Sequence, residues 1–376
     1  MAGEAKAGLV FSHRYTQHNT NPYRMRSGER LPFVEQVDHM SNPRLIDRTM
    51  HLVDLSGLSD HVTHIEPYLA SEEAILSCHT PELLNRVKEA DAAGDGDAGR
   101  GSPVRRGSYD IARLAAGGVM AAVDAVMAGD VRRAYALVRP PGHHATPDMG
   151  MGFCIFNNVS IAARHARRQH GVGRILVVDW DVHHGNGTHT IFYDDPNTLF
   201  VSLHQTEVFP VGSGLIEEVG EGEGVGRTIN LPLPAGSGTA TYIAALEEIV
   251  IPIARQFAPE LILLSCGQDA SNSDPLSRMC LTTGSYRRMT QIMMDLAEEC
   301  CDGRLVAAQE GGYAEIYAPY CTLAIIETLA GYRSSLEEPM EDDLSLHWPQ
   351  TTKVGLDARA ALDAIRAQQS QYWQLP

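Results

Sequence analysis

Basic residues are scarce in this sequence. Its 376 residues include 30 lysines and arginines against 47 aspartates and glutamates, a formal net charge of −17. An acidic chain repels phosphate backbones and anionic lipid headgroups. We therefore expect neither a nucleic-acid partner nor a membrane-surface role. The charge would favour cationic ligands, although an acidic surface more often serves solubility.

Long apolar runs and closely spaced cysteines are also missing. No stretch approaches the ~18 uninterrupted apolar residues of a spanning helix, and the N-terminus lacks the apolar core of a signal peptide. The seven cysteines form neither a C-x-x-C pair nor the dense framework of a small secreted domain. We expect reduced, mostly buried thiols in a soluble, cytoplasmic protein.

From about residue 110, alanine-rich amphipathic stretches alternate with short β-branched runs. The periodicity predicts helices over 111–127, 159–170, 286–300, 317–329 and 356–369. It predicts strands over 175–178, 199–203, 261–266 and 305–308. Continuous apolar runs such as ELILLSC are typical of strands buried on both faces of a parallel sheet. The fold class is therefore α/β with one wound sheet, and the glycine-rich stretches at 91–108 and 219–226 are predicted loops.

Polar clusters follow three of the predicted strands, where ligands bind in open parallel sheets. Asp181 and His183 are two residues apart in DWDVHHGNG, so their side chains leave on the same side, and Asp269 follows a second strand. An ordinary hydrogen-bonded loop is the alternative for a lone D-x-H. Three nitrogen and oxygen donors without cysteine favour an open metal site that keeps a position for water.

Two further motifs carry groups suited to amide hydrolysis. His143 and His144 follow a rigid turn in RPPGHHA, and imidazoles beside a metal-bound water can accept and donate protons near neutral pH. Tyr313 follows two glycines in EGGY, where a phenol could donate to a developing oxyanion. A coincidental histidine pair and a buried structural tyrosine are the alternatives.

In chain order, RPPGHHA, GMGFCIFNNVSIAA, ILVVDWDVHHGNGT, VSLHQ, FPVGSG, CGQDASNSDPL and EGGY resemble the motifs of the zinc-dependent histone deacetylase family, in its bacterial branch of class II-like histone-deacetylase-like amidohydrolases. The resemblance runs from about residue 9 to 332. It implies a single-domain arginase/deacetylase-like fold, with helices on both faces of a mostly parallel sheet. We expect a catalytic domain over 1–332 and an extension over 333–376 that packs on this domain or on another subunit.

The resemblance also implies roles for individual residues. One zinc ion per chain would be held by Asp181, His183 and Asp269. His143 and His144 would act as a general base and its electrostatic or acid partner, and Asp179 would orient the first of them. Tyr313 would polarise the carbonyl. Asn186 stands where class I members carry Asp, so His144 should be held less firmly as imidazolium.

Potassium and substrate positions follow from the same resemblance. One potassium ion would lie against Asp179, Asp181, His183, Ser202 and Leu203. A second would lie near Phe192 and Asp195. The acyl-lysine tunnel would be lined by Pro141, Gly152, Phe153 and Phe209. Either Asp95 or Asp97 would grip the substrate backbone at the rim, the segment 15–44 would form the other wall of the entrance, and Gln268 could alter the floor or the rim of the pocket.

The predicted function is removal of acetyl or other acyl groups from N-acetyl-lysine or a related N-acylated amine by metal-activated water. An acetylpolyamine amidohydrolase and a catalytically silent acyl-lysine reader are the alternatives. An arginase-like binuclear manganese hydrolase would need further carboxylates, which DVHHGNG lacks. The family habit and the tryptophan-bearing tail favour a homo-oligomer, either a dimer or a tetramer.

Overall fold

The computed structural model describes residues 7–23, 37–338, 340 and 353–376. Its strands are β1 (Ala7–Val10), β2 (Val62–Ile65), β3 (Asp95–Asp97), β4 (Gly99–Arg100), β5 (Pro103–Arg105), β6 (Arg133–Ala136), β7 (Gly150–Met151), β8 (Ile175–Asp179), β9 (Thr198–Gln205), β10 (Thr228–Leu233), β11 (Leu261–Cys266) and β12 (Leu305–Gln309). Its α-helices are α1 (Arg44–Leu55), α2 (Glu72–Leu76), α3 (Pro81–Ala93), α4 (Ser108–Ala128), α5 (Asn158–His170), α6 (Asn186–Ile191), α7 (Thr239–Ala245), α8 (Ile251–Phe257), α9 (Thr283–Cys301), α10 (Ala318–Ala330) and α11 (Leu356–Gln369).

One parallel sheet organises the described residues. Its eight strands have the order β10-β9-β8-β11-β12-β6-β1-β2, and helices surround it. Every residue of β8, β9, β11 and β12 is buried, as the continuous apolar runs predict. Asp179, the last residue of β8, pairs in register with Ser202 of β9 and Ser265 of β11, so β11 ends one residue further and β9 three residues further. The predicted α/β fold is confirmed, and each predicted helix and strand ends within three residues of its observed bounds.

The glycine-rich stretch 91–108 is more structured than predicted. Helix α3 extends to Ala93, β3 and β5 form an antiparallel pair, and α4 begins at Ser108, so the prediction of a loop was wrong here. An ion pair at 2.7 Å joins Asp95 to Arg105 across the two strands. The stretch 219–226 is a loop with one 3₁₀ turn at Gly222–Gly224, as predicted.

Helix α4 is long and apolar enough, by length and composition, to cross a membrane, but 78% of its most apolar window is buried inside the fold. Its glycines explain how tightly it packs. A Cβ atom at Gly117 would lie 1.6 Å from the carbonyl oxygen of Tyr68, so only glycine lets this loop rest on the helix. Ala70 and Arg113 extend the contact with a backbone hydrogen bond of 3.0 Å.

The described part of the C-terminal extension packs on its own chain. Helix α11 lies against β10, the edge strand of the sheet, and Glu248 pairs with Arg359 at 2.7 Å. The indole Nε1 of Trp373 donates to the carbonyl oxygen of Gly226 at 2.9 Å. The tail therefore covers a sheet edge that would otherwise be open to pairing.

Candidate active site

The three predicted metal ligands meet at the carboxyl edge of the sheet. Asp181 and His183 follow β8, and Asp269 follows the adjacent strand β11. The Nδ1 atom of His183 lies 3.1 Å from Oδ1 of Asp181 and 2.9 Å from Oδ2 of Asp269. All three side chains are buried, and one donor atom from each lies within 4.8 Å of the others.

Backbone amides and glycines fix the two carboxylates. Val182 donates its backbone N–H to Oδ1 of Asp269 at 2.8 Å, and Gly311 donates to Oδ2 of Asp181 at 2.8 Å. A Cβ atom at Gly267 would lie 2.2 Å from Oδ2 of Asp181, and one at Gly311 would lie 2.4 Å from Oδ2 of Asp269. Glycine at both positions therefore lets the backbone close around the carboxylates.

The electrostatics of this cluster favour a cation. Burial and the charge of Asp181 raise the pKa of Asp269 to about 8. Burial alone would lower the pKa of His183, but hydrogen bonds to Asp181 and Asp269 raise it to about 10. Two buried carboxylates need a positive charge between them. One imidazole and two carboxylates, with no thiolate, fit a tetrahedral zinc ion that keeps an open position.

The tandem histidines face this cluster with different partners. His143 Nδ1 lies 3.0 Å from Oδ2 of Asp179, whereas His144 Nδ1 lies 2.8 Å from the amide oxygen of Asn186. The two rings are 3.9 Å apart between centroids, and Nε2 of His143 points toward Oδ1 of Asp181 at 3.6 Å. In each histidine, Nδ1 is therefore held by a hydrogen bond, and Nε2 is available for a further contact.

The surroundings of the two histidines shift their pKa values in opposite directions. Burial alone would lower the pKa of His143, but the charges of Asp181 and Asp179 raise it well above its usual value. Burial and the neighbouring His143 and His183 hold the pKa of His144 well below its usual value. The metal-free surroundings thus shift the pKa of His143 upward and that of His144 downward, and the partner of His144 is the neutral amide of Asn186, not a carboxylate.

Glu310 is a buried carboxylate that the sequence reasoning missed. Its Oε2 atom accepts hydrogen bonds from the backbone nitrogens of Gly142 at 2.6 Å and His143 at 3.1 Å. Glu310 therefore holds the turn that presents the histidine pair. Its position directly before the two glycines of EGGY was the available signal.

Tyr313 lies on the loop after β12, partly buried beside the metal-ligand cluster. Burial and the charges of Asp269 and Asp181 raise the pKa of its phenol well above the usual value, so the hydroxyl stays protonated. Oδ2 of Asp274, a buried carboxylate also missed from sequence, accepts the backbone N–H of Tyr313 at 2.7 Å. The motif GQDASNSDP contained this residue but gave no indication of the contact.

The predicted tunnel residues border the histidines and Tyr313. Phe153 packs edge-on against Tyr313 with ring centroids 5.7 Å apart, and Phe209 packs edge-on against His144 at 5.0 Å. A Cβ atom at Gly152 would lie 2.5 Å from the His144 ring and 2.8 Å from the Phe209 ring. Pro141 and Tyr313 also line a small buried cavity of about 20 Å³ together with Ser41, Asn42, Leu45, Ile46, Val138, Arg139, Gln309, Glu310 and Gly312.

The two predicted potassium positions differ in what surrounds them. At the first, Ser202 pairs in register with Asp179, and Leu203 follows it along the buried strand β9. At the second, the carboxylate of Asp195 is bonded to the guanidinium of Arg167. A cation near Phe192 would therefore meet a carboxylate that is already neutralised.

The rim candidates are both engaged. Asp95 pairs with Arg105, while the two carboxylate oxygens of Asp97 accept backbone N–H groups of Gly99 at 2.8 Å and Ser102 at 2.9 Å. The turn that Asp97 closes hydrogen-bonds to Phe153, whose nitrogen donates to Gly101 O at 2.9 Å. Asp97 is thus the candidate whose turn is bonded directly to the tunnel wall.

Gln268 points away from the ligand cluster. Its side chain is buried, donates to Cys266 O at 2.8 Å and accepts from Gln309 Nε2 at 2.6 Å. Tyr135 joins the same network by donating to Gln309 at 2.8 Å. Gln268 is therefore tied to the ends of β11 and β12 by hydrogen bonds.

The entrance segment 15–44 is described over 15–23 and 37–44, while 24–36 lie outside the described residues. Its residue His39 packs edge-on against the predicted tunnel residue Phe153, with ring centroids 4.7 Å apart. Arg139 holds this segment by donating to the carbonyl oxygens of His18 and Ser41, both at 2.6 Å. The sequence reasoning had not singled out His39 or Arg139.

Comparisons with known proteins identify the family of the chain. The family described as histone deacetylase domain matches residues 39–329. The histone deacetylase-like amidohydrolase of Pseudomonas aeruginosa is 45% identical over 311 residues, which is 83% of this chain and 82% of the relative. A probable deacetylase of Archaeoglobus fulgidus is 37% identical over 369 residues, covering 97% of this chain and 98% of the relative.

A human relative and a solved structure extend the comparison. The human protein named polyamine deacetylase HDAC10 is 37% identical over 313 residues, covering 80% of this chain and 46% of the relative. The crystal structure of the HDA15 HD domain superposes with a TM-score of 0.85 at 29% identity, over 98% of this chain and 96% of that one. The chain belongs to the histone deacetylase family, and it is a hydrolase of that family.

Proposed function

We propose that this protein is a zinc-dependent amidohydrolase that removes acetyl or other acyl groups from N-acetyl-lysine or a related amine. The observation that carries the proposal is the convergence of Asp181, His183 and Asp269 on one buried point beside two histidines. A catalytically silent acyl-lysine reader would not need a pair of oriented histidines beside the metal ligands. The same convergence therefore favours an enzyme over the reader.

Asp181, His183 and Asp269 would hold the zinc ion, which when bound supplies a Lewis acid for the acyl carbonyl and lowers the pKa of water. Three protein ligands would leave one position of a zinc ion open for water or substrate. The hydrogen bonds of the neighbouring carboxylates argue against the second manganese ion of an arginase-like site. Asp179 is bonded to His143 and to the backbone of Asp181, and Glu310 is bonded to the backbone of Gly142.

The different partners of the two histidines suggest a division of labour. Because an amide oxygen can only accept, Nδ1 of His144 donates its proton to Asn186 and Nε2 keeps its lone pair. His144 would therefore take the proton from the attacking water and return it to the leaving amine. His143, whose pKa the charges of Asp181 and Asp179 raise and whose Nδ1 is anchored on Asp179, would stabilise the developing negative charge electrostatically.

Tyr313 would complete the site by donating its hydroxyl hydrogen to the oxyanion that forms from the carbonyl. The high pKa of its phenol keeps that proton in place at neutral pH. Phe153 and Phe209, packed against Tyr313 and His144, would enclose the aliphatic part of the substrate. Pro141 and Gly152 would complete the wall, and Asp97 would grip the backbone of a peptide substrate at the rim.

The substrate class has two candidates. Acyl-lysine is the first, and the similarity to a relative named polyamine deacetylase makes an acetylated polyamine the second. Both place a cationic or neutral amine behind an acyl carbonyl, and the net charge of −17 favours neither strongly. We further propose potassium at the first position, against Asp179, Asp181, His183, Ser202 and Leu203, because Ser202 lies in register with Asp179 and these residues offer carboxylate, hydroxyl and carbonyl oxygens. The cytoplasmic location and the homo-oligomer stay predictions from sequence.

Turnover of an acetyl-lysine coumarin peptide tests the proposal. We expect activity that disappears on chelation, returns with zinc and is absent in Asp269→Asn. Values of kcat/KM for acetylspermidine, acetylputrescine, an acetyl-lysine peptide and a trifluoroacetyl-lysine peptide would then rank the substrate classes. Tight binding of the peptide without turnover at any zinc concentration would contradict the proposal and support the reader. Two manganese ions per chain, with activity dependent on them, would instead support the arginase-like alternative.

A further inference from the structure

A second cluster of metal-ligating side chains lies on the surface between α4 and α5. Asp124 comes from α4, and His165 and His170 come from α5. Nε2 of His165 lies 2.6 Å from Oδ1 of Asp124, and Nε2 of His170 lies 2.7 Å from the same oxygen. Two imidazoles from consecutive turns of α5 thus converge on one carboxylate oxygen from α4.

The carboxylate is oriented by a third element. The hydroxyl of Tyr68 donates to Oδ2 of Asp124 at 2.7 Å. Tyr68 is itself fixed, because its carbonyl rests against Gly117 of α4 in a contact too close for any side chain there. Tyr68 therefore occupies one oxygen and leaves the other facing the two imidazoles, which is how hydrogen bonds from outside a metal site hold its ligands.

The charge state of the cluster suits a cation. Partial burial alone would raise the pKa of Asp124, but hydrogen bonds from His165, His170 and Tyr68 lower it well below its usual value. The carboxylate is thus ionised at every physiological pH. The three ligand side chains are partly exposed, so an ion could enter from solvent and water could complete its coordination.

We propose that Asp124, His165 and His170 form a second metal site, for a divalent transition metal such as zinc. The donor atoms of the three residues lie within 4.8 Å of one another. Metal–ligand bonds of about 2.0–2.1 Å place tetrahedral donors about 3.3 Å apart, so the present contacts need to open by well under 1 Å. Two imidazoles and one carboxylate without a thiolate select zinc, copper or nickel over calcium or magnesium.

This site is separate from the candidate active site. The first turn of α5 touches the loop of the histidine pair, where Asn158 donates to the carbonyl oxygen of Pro140 at 3.0 Å. His165 and His170 lie about 10 and 18 Å further along the helix axis, at 1.5 Å per residue. An ion there would tie α4 to α5 without contacting substrate. Its role would be structural.

The test counts metal ions in the full-length protein with the candidate active site disabled. Asp181→Ala removes one of the three ligands there, and zinc at micromolar free concentration is then titrated against a chromophoric chelator. We expect one ion to remain bound, and we expect it to be lost when His170→Gln is added. His170 is the last residue of α5 and partly exposed, so this substitution leaves the core intact. His51→Gln, at an exposed histidine of α1, is the matched control and should retain the ion.

Two further measurements separate this site from the first. Zinc should raise the melting temperature of Asp181→Ala by about 2 °C but leave Asp181→Ala/His170→Gln unchanged. In the wild-type background, His170→Gln should keep full deacetylase activity while losing one bound ion. Identical zinc content with and without His170 would overturn the second site and leave the proposed function intact. Retention of that zinc-induced rise in the double variant would overturn it equally.

Discussion

Asp274 and Tyr313 lie on different loops and are joined directly: Oδ2 of Asp274 accepts the backbone N–H of Tyr313 at 2.7 Å. The same oxygen accepts the N–H of Ala314 at 3.2 Å, while Oδ1 accepts that of Leu276 at 2.9 Å and closes its own loop. Because the carboxylate is buried, these charge-assisted bonds restrain both loops strongly. The loop that supplies Asp269 therefore also sets the position of the phenol.

We expect Asp274→Asn to lower kcat about 10-fold and to leave KM nearly unchanged. An amide has one acceptor oxygen and cannot satisfy both loops, so Tyr313 should lose its alignment while the tunnel still binds substrate. Adding Asp274→Asn to Tyr313→Phe should cost little more, because the aligned hydroxyl is already gone. An equal loss of kcat in both backgrounds would show that Asp274 does not act through Tyr313.

We expect Tyr313→Phe to lower kcat by roughly 10²–10³ because it removes a donor to the developing oxyanion. Steady-state kinetics on the acetyl-lysine peptide measure the loss. Tyr320→Phe removes a hydroxyl from α10, away from the ligand cluster, and should retain wild-type kcat. Unchanged kcat in Tyr313→Phe, with zinc bound, would rule out this role for the phenol.

The ligand cluster was predictable because each member follows a long buried strand. The apolar runs before Asp181 and Asp269 identify central strands, and the carboxyl ends of such strands face one edge. The partners of these residues were not predictable in the same way. The contact of Asp274 with Tyr313 depends on how two irregular loops fold over that edge, which no periodicity encodes.

The stretch 91–108 illustrates a different limit. Glycine and aspartate have low strand propensity, so Asp95–Asp97 shows no strand pattern in the sequence. Its pairing with β5 rests instead on tertiary contacts, among them the ion pair of Asp95 with Arg105. Tertiary contacts outweighed local propensity there, so the sequence alone could not distinguish between Asp95 and Asp97 as the rim residue.

Replacing Asn186 with aspartate should shift the pH dependence of kcat/KM. A carboxylate next to Nδ1 of His144 would stabilise the imidazolium and raise the pKa that the amide oxygen leaves low. If His144 is the general base, its neutral form would then appear only at higher pH. The acid limb of the pH profile of kcat/KM should therefore move to higher pH. Asn197→Asp adds the same charge at an exposed position and should leave the limb in place. An unmoved limb in Asn186→Asp would argue against His144 as the base.

Removing the metal should make stability fall as pH rises. Without an ion, burial and Asp181 raise the folded-state pKa of Asp269 to about 8, and hydrogen bonds raise that of His183 to about 10 despite its burial. The folded chain then holds protons that the unfolded chain releases, with unfolded pKa values near 3.9 for Asp and 6.5 for His. Stability is lost as pH rises from the unfolded pKa to the folded one, so both groups contribute between about pH 6.5 and 8.

Melting temperatures of chelated and zinc-loaded protein across this pH range measure the effect. We expect the chelated protein to melt at progressively lower temperature between about pH 6.5 and 8, while the loaded protein changes little because the ion replaces the protons. Parallel curves for the two forms would mean that Asp269 and His183 do not keep their protons in the metal-free fold.

Gly267→Ala should weaken zinc binding at the candidate active site. Its Cβ atom would lie 2.2 Å from Oδ2 of Asp181 and 2.8 Å from Cα of the same residue, so the ligand carboxylate or its backbone must move. We expect zinc affinity to fall about 10–100-fold, the size of effect that disturbed ligand support produces, and kcat to fall with it at limiting zinc. Gly284→Ala, where the nearest atom is Thr282 Oγ1 at 3.6 Å, is the matched control and should bind zinc normally. Chelator competition on both variants measures the affinity, and wild-type affinity in Gly267→Ala would mean that Asp181 is not held against this backbone when the ion binds.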